Sequence, residues 1–344
     1  MTTENDVSTK KILDIAAWER AVIKTIKAIL FKNRMAERYF EGRIARFDMI
    51  FTDVWRNYLA ENREQIESRL DVLCEGMDEI SVGIIRSVAD RYFYIAPACR
   101  FDSFVAYRPE CLFTPYEKTL QTEFSNVMRR QQDKYHFPQG SGGLSVSVFA
   151  SHNGLDFVPN GRQRLKGTVA IDGGAFIGDS ALAIKEYGVN VIYCFEPNRT
   201  SREALKQTIE LNHLENVFIE GAGLGARQTM AVVSGENSFA SLAVKNDNKE
   251  DAVPVLAIDD FCAERRVTPS LIKLDIEGME YEAISGARRT IEVHKPVLII
   301  SIYHSAKDFL EIKPLIRTMT ADYTFLVRRL DPFHPTNETV LICY

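Results

Sequence analysis

The stretch that decides the fold is residues 168–200, TVAIDGGAFIGDSALAIKEYGVNVIYCFEPNRT. An apolar run at 169–171 ends on Asp172 and is followed at once by a glycine-rich turn, which predicts a buried strand, a tight turn and the start of a helix. A second apolar run, at 191–195, ends on Glu196. This pattern is the first half of a nucleotide-binding βαβ unit, and a carboxylate after the second strand is placed to accept hydrogen bonds from ribose hydroxyls.

Asp172 indicates which ligand this unit binds. In dinucleotide-binding folds the glycine-rich loop brings backbone amides to a pyrophosphate, and a carboxylate at its mouth would repel that group. Here the loop is DGGAFIG, with Ala175 in place of the second glycine of that fingerprint. S-adenosylmethionine has no phosphate and carries an ammonium and a sulfonium, which a carboxylate attracts. The loop therefore favours a methyl donor over a nicotinamide dinucleotide.

Length and composition predict two domains without a nucleic-acid partner. The 344 residues, 46% of them hydrophobic, are enough for a large core. The segment HFPQGSGG, residues 136–143, is the clearest break, so we expect a helical N-terminal domain at 1–140 and a second domain at 141–344. The net charge of −5 provides no general attraction for nucleic acid.

The cysteines and the N-terminus indicate a soluble cytoplasmic protein. The six cysteines are scattered, without a C-x-x-C motif, and neither a signal peptide nor a long apolar stretch is visible. Residues 10–46 hold ten Lys/Arg against four acids in a helical pattern. A basic helix of this kind either is a solvated face of a bundle or lies on the inner face of a membrane as a peripheral contact.

The N-terminal domain shows no catalytic pattern. Residues 10–75 have apolar positions at helical spacing, and residues 76–135 predict further helices with aromatic-rich connections such as 92–94. Packing, oligomer contact and substrate selection all remain open as its role.

The second domain contains further strands of the same fold. Residues 144–159 alternate apolar and polar residues and predict a strand or hairpin, and 217–219 predict a strand followed by small residues, including Ala222, that let an adenine ring approach the backbone. Runs at 271–274 and 297–303 are apolar enough for central parallel strands, and 323–330 with 339–344 predict a terminal antiparallel pair.

Three blocks resemble one known family. IDGGAFIGDS, then FEPN at 195–198, then LIKLDIEGMEYEAISGA at 271–287 resemble the FkbM family of S-adenosylmethionine-dependent methyltransferases. The resemblance is close over 167–304, looser over 144–166 and 305–344, and hardly extends to 1–140. It implies an α/β class I methyltransferase fold, a Rossmann-like seven-stranded sheet with its last strand pair antiparallel, preceded here by a helical N-terminal region.

The resemblance also implies roles for individual residues. Asp172 with Gly173, Gly174 and Gly178 would hold the methionine end of S-adenosylmethionine. Glu196, with Asn198 of FEPN, would bind the ribose. Asp275 and Glu277 would face the methyl group and the acceptor, Asp275 contributing to the donor site as well.

The catalytic base is left open by the sequence. Many family members end the fifth strand with a glutamate, whereas this chain has His304 at that point. The base is therefore either His304, whose ordinary pKa near 6.5 suits proton transfer, or one of the carboxylates of Asp275 and Glu277, which would need a raised pKa. We expect no metal, although these three side chains together would offer suitable ligands.

The expected activity is O-methylation of a hydroxyl on a carbohydrate or glycan, with S-adenosylmethionine as the donor. The alternative is a catalytically silent protein with the same fold that binds or scaffolds glycan assembly. Isothermal titration with S-adenosylmethionine and with NAD separates the methyltransferase from an oxidoreductase.

Overall fold

The computed structural model describes residues 44–48, 51–98, 103–107, 112–131, 134–141, 143–234, 241–243 and 252–344. Within these ranges the strands of the main sheet follow from the apolar runs of the sequence. The two strands at its centre, at 271–274 and 169–173, are almost completely buried, as parallel strands covered on both faces should be.

The main sheet has seven strands, which are β3 (Val169–Gly173), β4 (Val191–Phe195), β5 (Val217–Glu220), β10 (Leu271–Leu274), β11 (Val297–Ser301), β12 (Phe325–Arg329) and β13 (Thr339–Cys343). Their order across the sheet is β12-β13-β11-β10-β3-β4-β5. Strands β3 to β5, β10 and β11 are parallel to one another, and β13 is antiparallel to both of its neighbours. The predicted seven-stranded sheet with a final antiparallel pair is confirmed.

Two smaller sheets lie outside the main one. The first is the antiparallel pair β1 (Ile44–Asp48) and β2 (Ser103–Tyr107). The second has the order β6-β9-β7-β8 and consists of β6 (Gly223–Leu224), β7 (Thr229–Ser234), β8 (Ser241–Ala243) and β9 (Ala252–Leu256).

Helices cover both faces of the main sheet, and each face has its own apolar cluster. The helices are α1 (Thr52–Glu61), α2 (Ile66–Cys74), α3 (Glu79–Ala98), α4 (Pro115–Gln131), α5 (Val146–Phe149), α6 (Gly161–Leu165), α7 (Asp179–Lys185), α8 (Arg199–Leu211), α9 (Ile258–Arg265), α10 (Glu280–Ser285), α11 (Arg288–His294) and α12 (Ala306–Met319). Helices α1 and α2 pack on α12, and α3 packs on β12, so the helical N-terminal region shares the core of one face. Across the described helices, none has the length and apolarity to span a bilayer.

Three local predictions are wrong. Residues 144–159 contain α5 and a 3-10 turn (His152–Phe157) rather than a strand or hairpin, although the chain does turn at Asn153 and Gly154, which both have positive φ. Residues 44–48 are a strand, because they pair with a segment more than fifty positions away that local periodicity does not reveal. Tyr92 and Phe93 lie inside α3 rather than in a connection.

The rest of the predicted basic helix, up to residue 43, lies outside the described residues. The predicted boundary near residue 140 stays a prediction.

Candidate functional site

A cavity of about 360 Å³ opens at the carboxyl ends of β3, β4 and β10. This is the edge of an open α/β sheet at which ligands bind, next to the point where the strand order reverses. The cavity walls consist of Phe51, Ser145, Ser147, Val148, Asn153, Gly174, Phe176, Asp179, Ser180, Phe195, Glu196, Pro197, Gly223, Leu224, Lys273, Asp275, Ile276, Glu277, Tyr303, Asn337 and Glu338.

The predicted glycine turn forms part of this wall. Gly174 has φ +71°, and a Cβ there would lie 1.8 Å from the carbonyl oxygen of Asp275, so only glycine fits. Gly178 has φ +89°, and its Cβ would meet a side-chain carbon of Leu205 at 2.7 Å. Gly174 lines the cavity, whereas Gly173 and Gly178 let β10 and α8 approach the turn closely.

Asp172 lies behind the cavity wall rather than in it. It is fully buried, and its register partner across the sheet is Lys273, whose ammonium lies 3.2 Å from Asp172 Oδ1. Ser180 donates a 2.5 Å hydrogen bond to the other oxygen. Asp172 therefore acts on the cavity through Lys273 and Ser180, both of which line it.

Lys273 links the Asp172 carboxylate to the glycine turn. Its ammonium donates to the carbonyl oxygens of Gly174, at 2.8 Å, and Gly173, at 3.3 Å. Burial lowers the pKa of Lys273, but the carboxylates of Asp172 and Asp275 outweigh burial and raise it above its ordinary value. A charged lysine thus fixes the turn.

Glu196 faces the cavity with both carboxylate oxygens fixed. Its Oε2 accepts a hydrogen bond from the Phe176 amide at 3.0 Å, and its Oε1 accepts one from the Asn198 amide at 2.8 Å. Burial raises the pKa of Glu196, and the two amides oppose the rise. The side chain of Asn198 caps α8 by accepting from the Ser201 amide at 3.1 Å, so it is not among the cavity walls.

The small residues after β5 divide between core and cavity. Ala222 is buried in the apolar core, whereas the next two residues, Gly223 and Leu224, line the cavity beside Phe195. The predicted segment therefore reaches the cavity through Gly223 and Leu224 and not through Ala222, and its contact with an adenine ring stays a prediction.

His304 is completely buried at the far end of β11 and is surrounded by carboxylates. Its Nδ1 lies 2.8 Å from Glu280 Oε1, and its Nε2 lies 3.5 Å from Asp275 Oδ1 and 3.8 Å from Glu277 Oε2. Burial lowers the pKa of His304, but Glu280, Glu277 and Asp275 together outweigh burial and raise it well above 6.5. The side chain is therefore an imidazolium that holds these carboxylates together.

Glu277 has the properties that a proton acceptor needs. It lines the cavity in a left-handed conformation, φ +58°, which is uncommon for a residue other than glycine. Burial raises the pKa of Glu277 to about 8, against the opposing charge of His304. Among the described residues, its buried Oε2 has no hydrogen-bond partner, nor does Oδ1 of Asp275 beside it.

Asp275, Glu280 and His304 also have ligand atoms within 4.8 Å of one another, the spacing of a metal site. The oxygens of Glu280 are already hydrogen-bonded, since Oε1 accepts from the Ile276 amide and from His304, and Oε2 accepts from the Gly278 amide. This arrangement suits a buried ion-pair cluster better than a metal centre.

Three ionisable residues of the wall are not among the residues predicted from the sequence. Lys273 lies inside an apolar strand, and Asp179 opens the helix after the glycine turn, where burial raises its pKa to about 6. Glu338 comes from the connection before β13, again in a left-handed conformation with φ +56°. Burial, with Asp275 adding to it, raises the pKa of Glu338 to about 8.

The strand order, the antiparallel β13 and the cavity at the carboxyl ends define a Rossmann-like fold of the class I methyltransferase type. Residues 172–327 match the methyltransferase FkbM domain. These residues therefore form a methyltransferase domain of the FkbM family, as the three sequence blocks predicted.

One solved structure supports this fold assignment, and a second is a weaker match. The methyltransferase FkbM from Methylobacillus flagellatus KT aligns over 83% of this chain and 60% of its own, with 21% identity and a TM-score of 0.54. A putative SAM-dependent methyltransferase from Streptococcus mutans aligns over 58% and 49%, with 13% identity and a TM-score of 0.38. The chain thus spans about half to three fifths of the length of these two proteins. Among curated proteins, no sequence matches significantly.

Proposed function

We propose that this protein transfers a methyl group from S-adenosylmethionine to a hydroxyl oxygen of a carbohydrate or glycan. The observation that carries the proposal is the set of carboxyl groups in the cavity wall. Among the described residues, its wall holds five carboxyl groups, from Asp179, Glu196, Asp275, Glu277 and Glu338, and the ammonium of Lys273, which is already paired with Asp172. Such a wall attracts a sulfonium and an ammonium and repels a pyrophosphate.

The donor half of the cavity suits a nucleoside. Each oxygen of Glu196 accepts one backbone amide, which leaves a further lone pair on each to accept from a ribose hydroxyl. Phe195, Gly223 and Leu224 form an apolar patch of wall beside it that suits an adenine ring. The volume of about 360 Å³ lies within the range of small-molecule sites.

Glu277 is our candidate for the catalytic base. The bound donor would supply the methyl group, and the acceptor hydroxyl must lose its proton as it is methylated. The carboxylate of Glu277 lines the cavity and is available to accept that proton, and its pKa, which burial raises to about 8, is close to the working pH. His304 is a poorer base because it is already protonated and has no exposed surface; it positions Glu277 and Asp275 instead.

The alternative is a protein that binds the donor without turnover. The raised pKa of Glu277 in the cavity favours the enzyme, since perturbed carboxyl groups in clefts are typical of catalytic sites. We also propose a cytoplasmic location, with the basic N-terminal segment as an optional contact to the inner membrane face. Nucleic acid is not proposed as a partner.

The first experiment is isothermal titration of the full chain with S-adenosylmethionine, S-adenosylhomocysteine and NAD. We expect both sulfur nucleosides to bind and NAD to bind at least about 100-fold more weakly, because its pyrophosphate would meet the acidic wall. Tight binding of NAD with no binding of either sulfur nucleoside would end the methyltransferase proposal.

Glu196→Ala is expected to weaken S-adenosylhomocysteine binding by about 1–3 kcal/mol, the scale for losing hydrogen bonds to a charged, largely buried group. Titration calorimetry measures the change. Glu203→Ala, an exposed position on the following helix α8, is the matched control and should leave affinity unchanged. If the two variants bind S-adenosylhomocysteine with equal affinity, Glu196 does not contribute to the donor site.

A further inference from the structure

The connection between β12 and β13, residues 330–338, carries two cavity residues, Asn337 and Glu338. Arg329, at the end of β12, is buried beneath this connection and forms several hydrogen bonds to it. Its guanidinium donates to the carbonyl oxygen of Asp331 at 2.8 Å and to the hydroxyl of Thr339 at 2.7 Å. It also donates to the carbonyl oxygens of His334 and Asn337, so one fully buried side chain fixes both ends of the connection.

The helical N-terminal region completes this arrangement. Glu117 of α4 lies 3.3 Å from Arg329 and accepts two hydrogen bonds from Arg91 of α3, at 2.7 and 2.5 Å. The same arginine donates to the carbonyl oxygen of Pro335 at 2.8 Å. Glu117 and Arg91 are 1% and 7% exposed, so removing either charge would leave its partners unpaired in the interior.

A second set of contacts reaches Glu338 through Tyr303. Trp55 of α1 and Tyr92 of α3 stack with ring centroids 3.6 Å apart, and each donates a 2.9 Å hydrogen bond to the carbonyl oxygen of Tyr303. The Tyr303 hydroxyl in turn donates to Glu338 Oε1 at 3.2 Å. Phe51, just before α1, lines the cavity itself.

Burial raises the pKa of Glu117, but Arg91 and Arg329 outweigh burial and hold it below its ordinary value. Glu117 is therefore ionised, and the three side chains form a buried cluster with two positive charges and one negative charge. The two arginines flank the Glu117 carboxylate and also donate to backbone carbonyl oxygens of the 330–338 connection, which fixes the geometry of the groups they join.

We propose that Arg91, Glu117 and Arg329 are positioning residues, through which the N-terminal helices hold the 330–338 connection so that Glu338 faces the acceptor end of the cavity. The proposal rests on the proposed function, since it assigns the N-terminal region to acceptor recognition. This arrangement also explains why Glu338 adopts a left-handed conformation, because hydrogen bonds fix the connection on both sides of that residue.

The test uses two ligands that differ at one point. S-adenosylhomocysteine has a neutral sulfur, whereas sinefungin carries an amine in place of the sulfonium methyl group. The ratio of their dissociation constants therefore reports the carboxylates that face the methyl position and cancels contacts to the rest of the donor. The ratio is measured by calorimetry at about pH 8.5, where Glu277 and Glu338 are largely ionised.

The variants are Glu338→Gln, Glu117→Gln and the double variant, with Asp78→Asn as matched control. Asp78 also pairs with an arginine of β12, Arg328 at 2.6 Å, without a bond to the 330–338 connection. We expect Glu338→Gln to reduce the preference for sinefungin about tenfold, and Glu117→Gln to reduce it in the same direction. The double variant should match Glu338→Gln within about twofold, because both changes act through one side chain.

A purely structural role would lower the melting temperature and leave the ratio unchanged. Arg91→Lys covers the case in which Glu117→Gln does not fold, since it keeps the charge but loses the pairing of two guanidinium nitrogens with the two oxygens of Glu117. Hydrogen exchange of the 330–338 amides should rise in Arg91→Lys and Glu117→Gln, but not in Asp78→Asn.

The proposal is overturned if the ratio is the same in all variants, or if the effects of Glu117→Gln and Glu338→Gln add. Failure of wild-type protein to bind S-adenosylhomocysteine would instead overturn the proposed function, so the two failures are distinct.

Discussion

Glu277→Gln is expected to lower kcat by about 10²- to 10⁴-fold, the usual contribution of a positioned general base. Glutamine keeps the shape of the side chain but cannot accept the proton of the acceptor hydroxyl. Binding of S-adenosylhomocysteine should persist, because Glu196 and the glycine turn remain in place. Transfer of labelled methyl groups from S-adenosylmethionine into cell-extract carbohydrate measures the loss.

The pH profile gives this prediction a second readout. A base acts when ionised, so wild-type activity should rise as pH increases through about 8, the pKa to which burial raises Glu277. Glu338 has a similarly raised pKa and faces the same cavity, so the apparent value belongs to the pair. Glu338→Gln should move this limb of the profile, whereas Glu277→Gln should abolish it.

Glu282→Gln is the control for the chemistry. Glu282 lies on α10 outside the cavity and pairs with Lys307 at 2.7 Å on the partly exposed surface. Its replacement should leave kcat unchanged. If Glu277→Gln retains full turnover with the limb near pH 8 in place, Glu277 is not the base and Asp275 becomes the candidate.

The strands of the methyltransferase domain were predictable because each is a short apolar run that ends on a polar or glycine residue. A strand buried on both faces requires such a run, so β3, β4, β10 and β11 are visible one by one. The pairing of β1 with β2 was not visible, since two short segments far apart in sequence carry no mutual signal.

Only some of the charged residues of the site were predictable from the sequence. Asp172, Glu196, Asp275 and Glu277 stand at strand ends, where a ligand-binding role follows from the fold. Lys273 sits inside a strand, and its function depends on the register that places it beside Asp172. No local sequence pattern reveals that register, because the two strands lie far apart in the chain.

The acceptor end was the least predictable part. Glu338 comes from a connection whose sequence, DPFHPTNE, indicates only a turn, and its place depends on Arg91 and Glu117 from the N-terminal helices. In our proposal those helices supply supporting contacts rather than reacting groups, which agrees with the lack of a catalytic pattern in their sequence. Of the three roles left open for those helices, our proposal concerns substrate selection.

The sequence left the catalytic base open between His304 and the carboxylates of Asp275 and Glu277, and removing His304 would lower kcat if it were the base. The structure favours a different outcome, because His304 is the positive charge among three carboxylates and has no exposed surface. A base must lose its proton at working pH, and these neighbours hold that proton on the ring.

His304→Ala is therefore expected to lower the free energy of unfolding by about 3–5 kcal/mol, the cost of removing one partner from a buried ion pair. Urea denaturation measures the change. His152→Ala is the matched control, since His152 also lies between two carboxylates, Asp156 at 3.0 Å and Glu186 at 3.1 Å, but these are partly exposed. Its loss should cost at most about 1 kcal/mol.

The pH dependence distinguishes an imidazolium from a neutral base. The folded-state pKa of His304 is raised, so its stabilising contribution is fully present below the unfolded value near 6.5 and is lost as pH rises through the higher folded value. The stability difference between wild type and His304→Ala should therefore be largest near pH 6 and should shrink steadily toward alkaline pH. A difference that grows with pH would mean that His304 is neutral in the folded protein, and His304 would return as the candidate base.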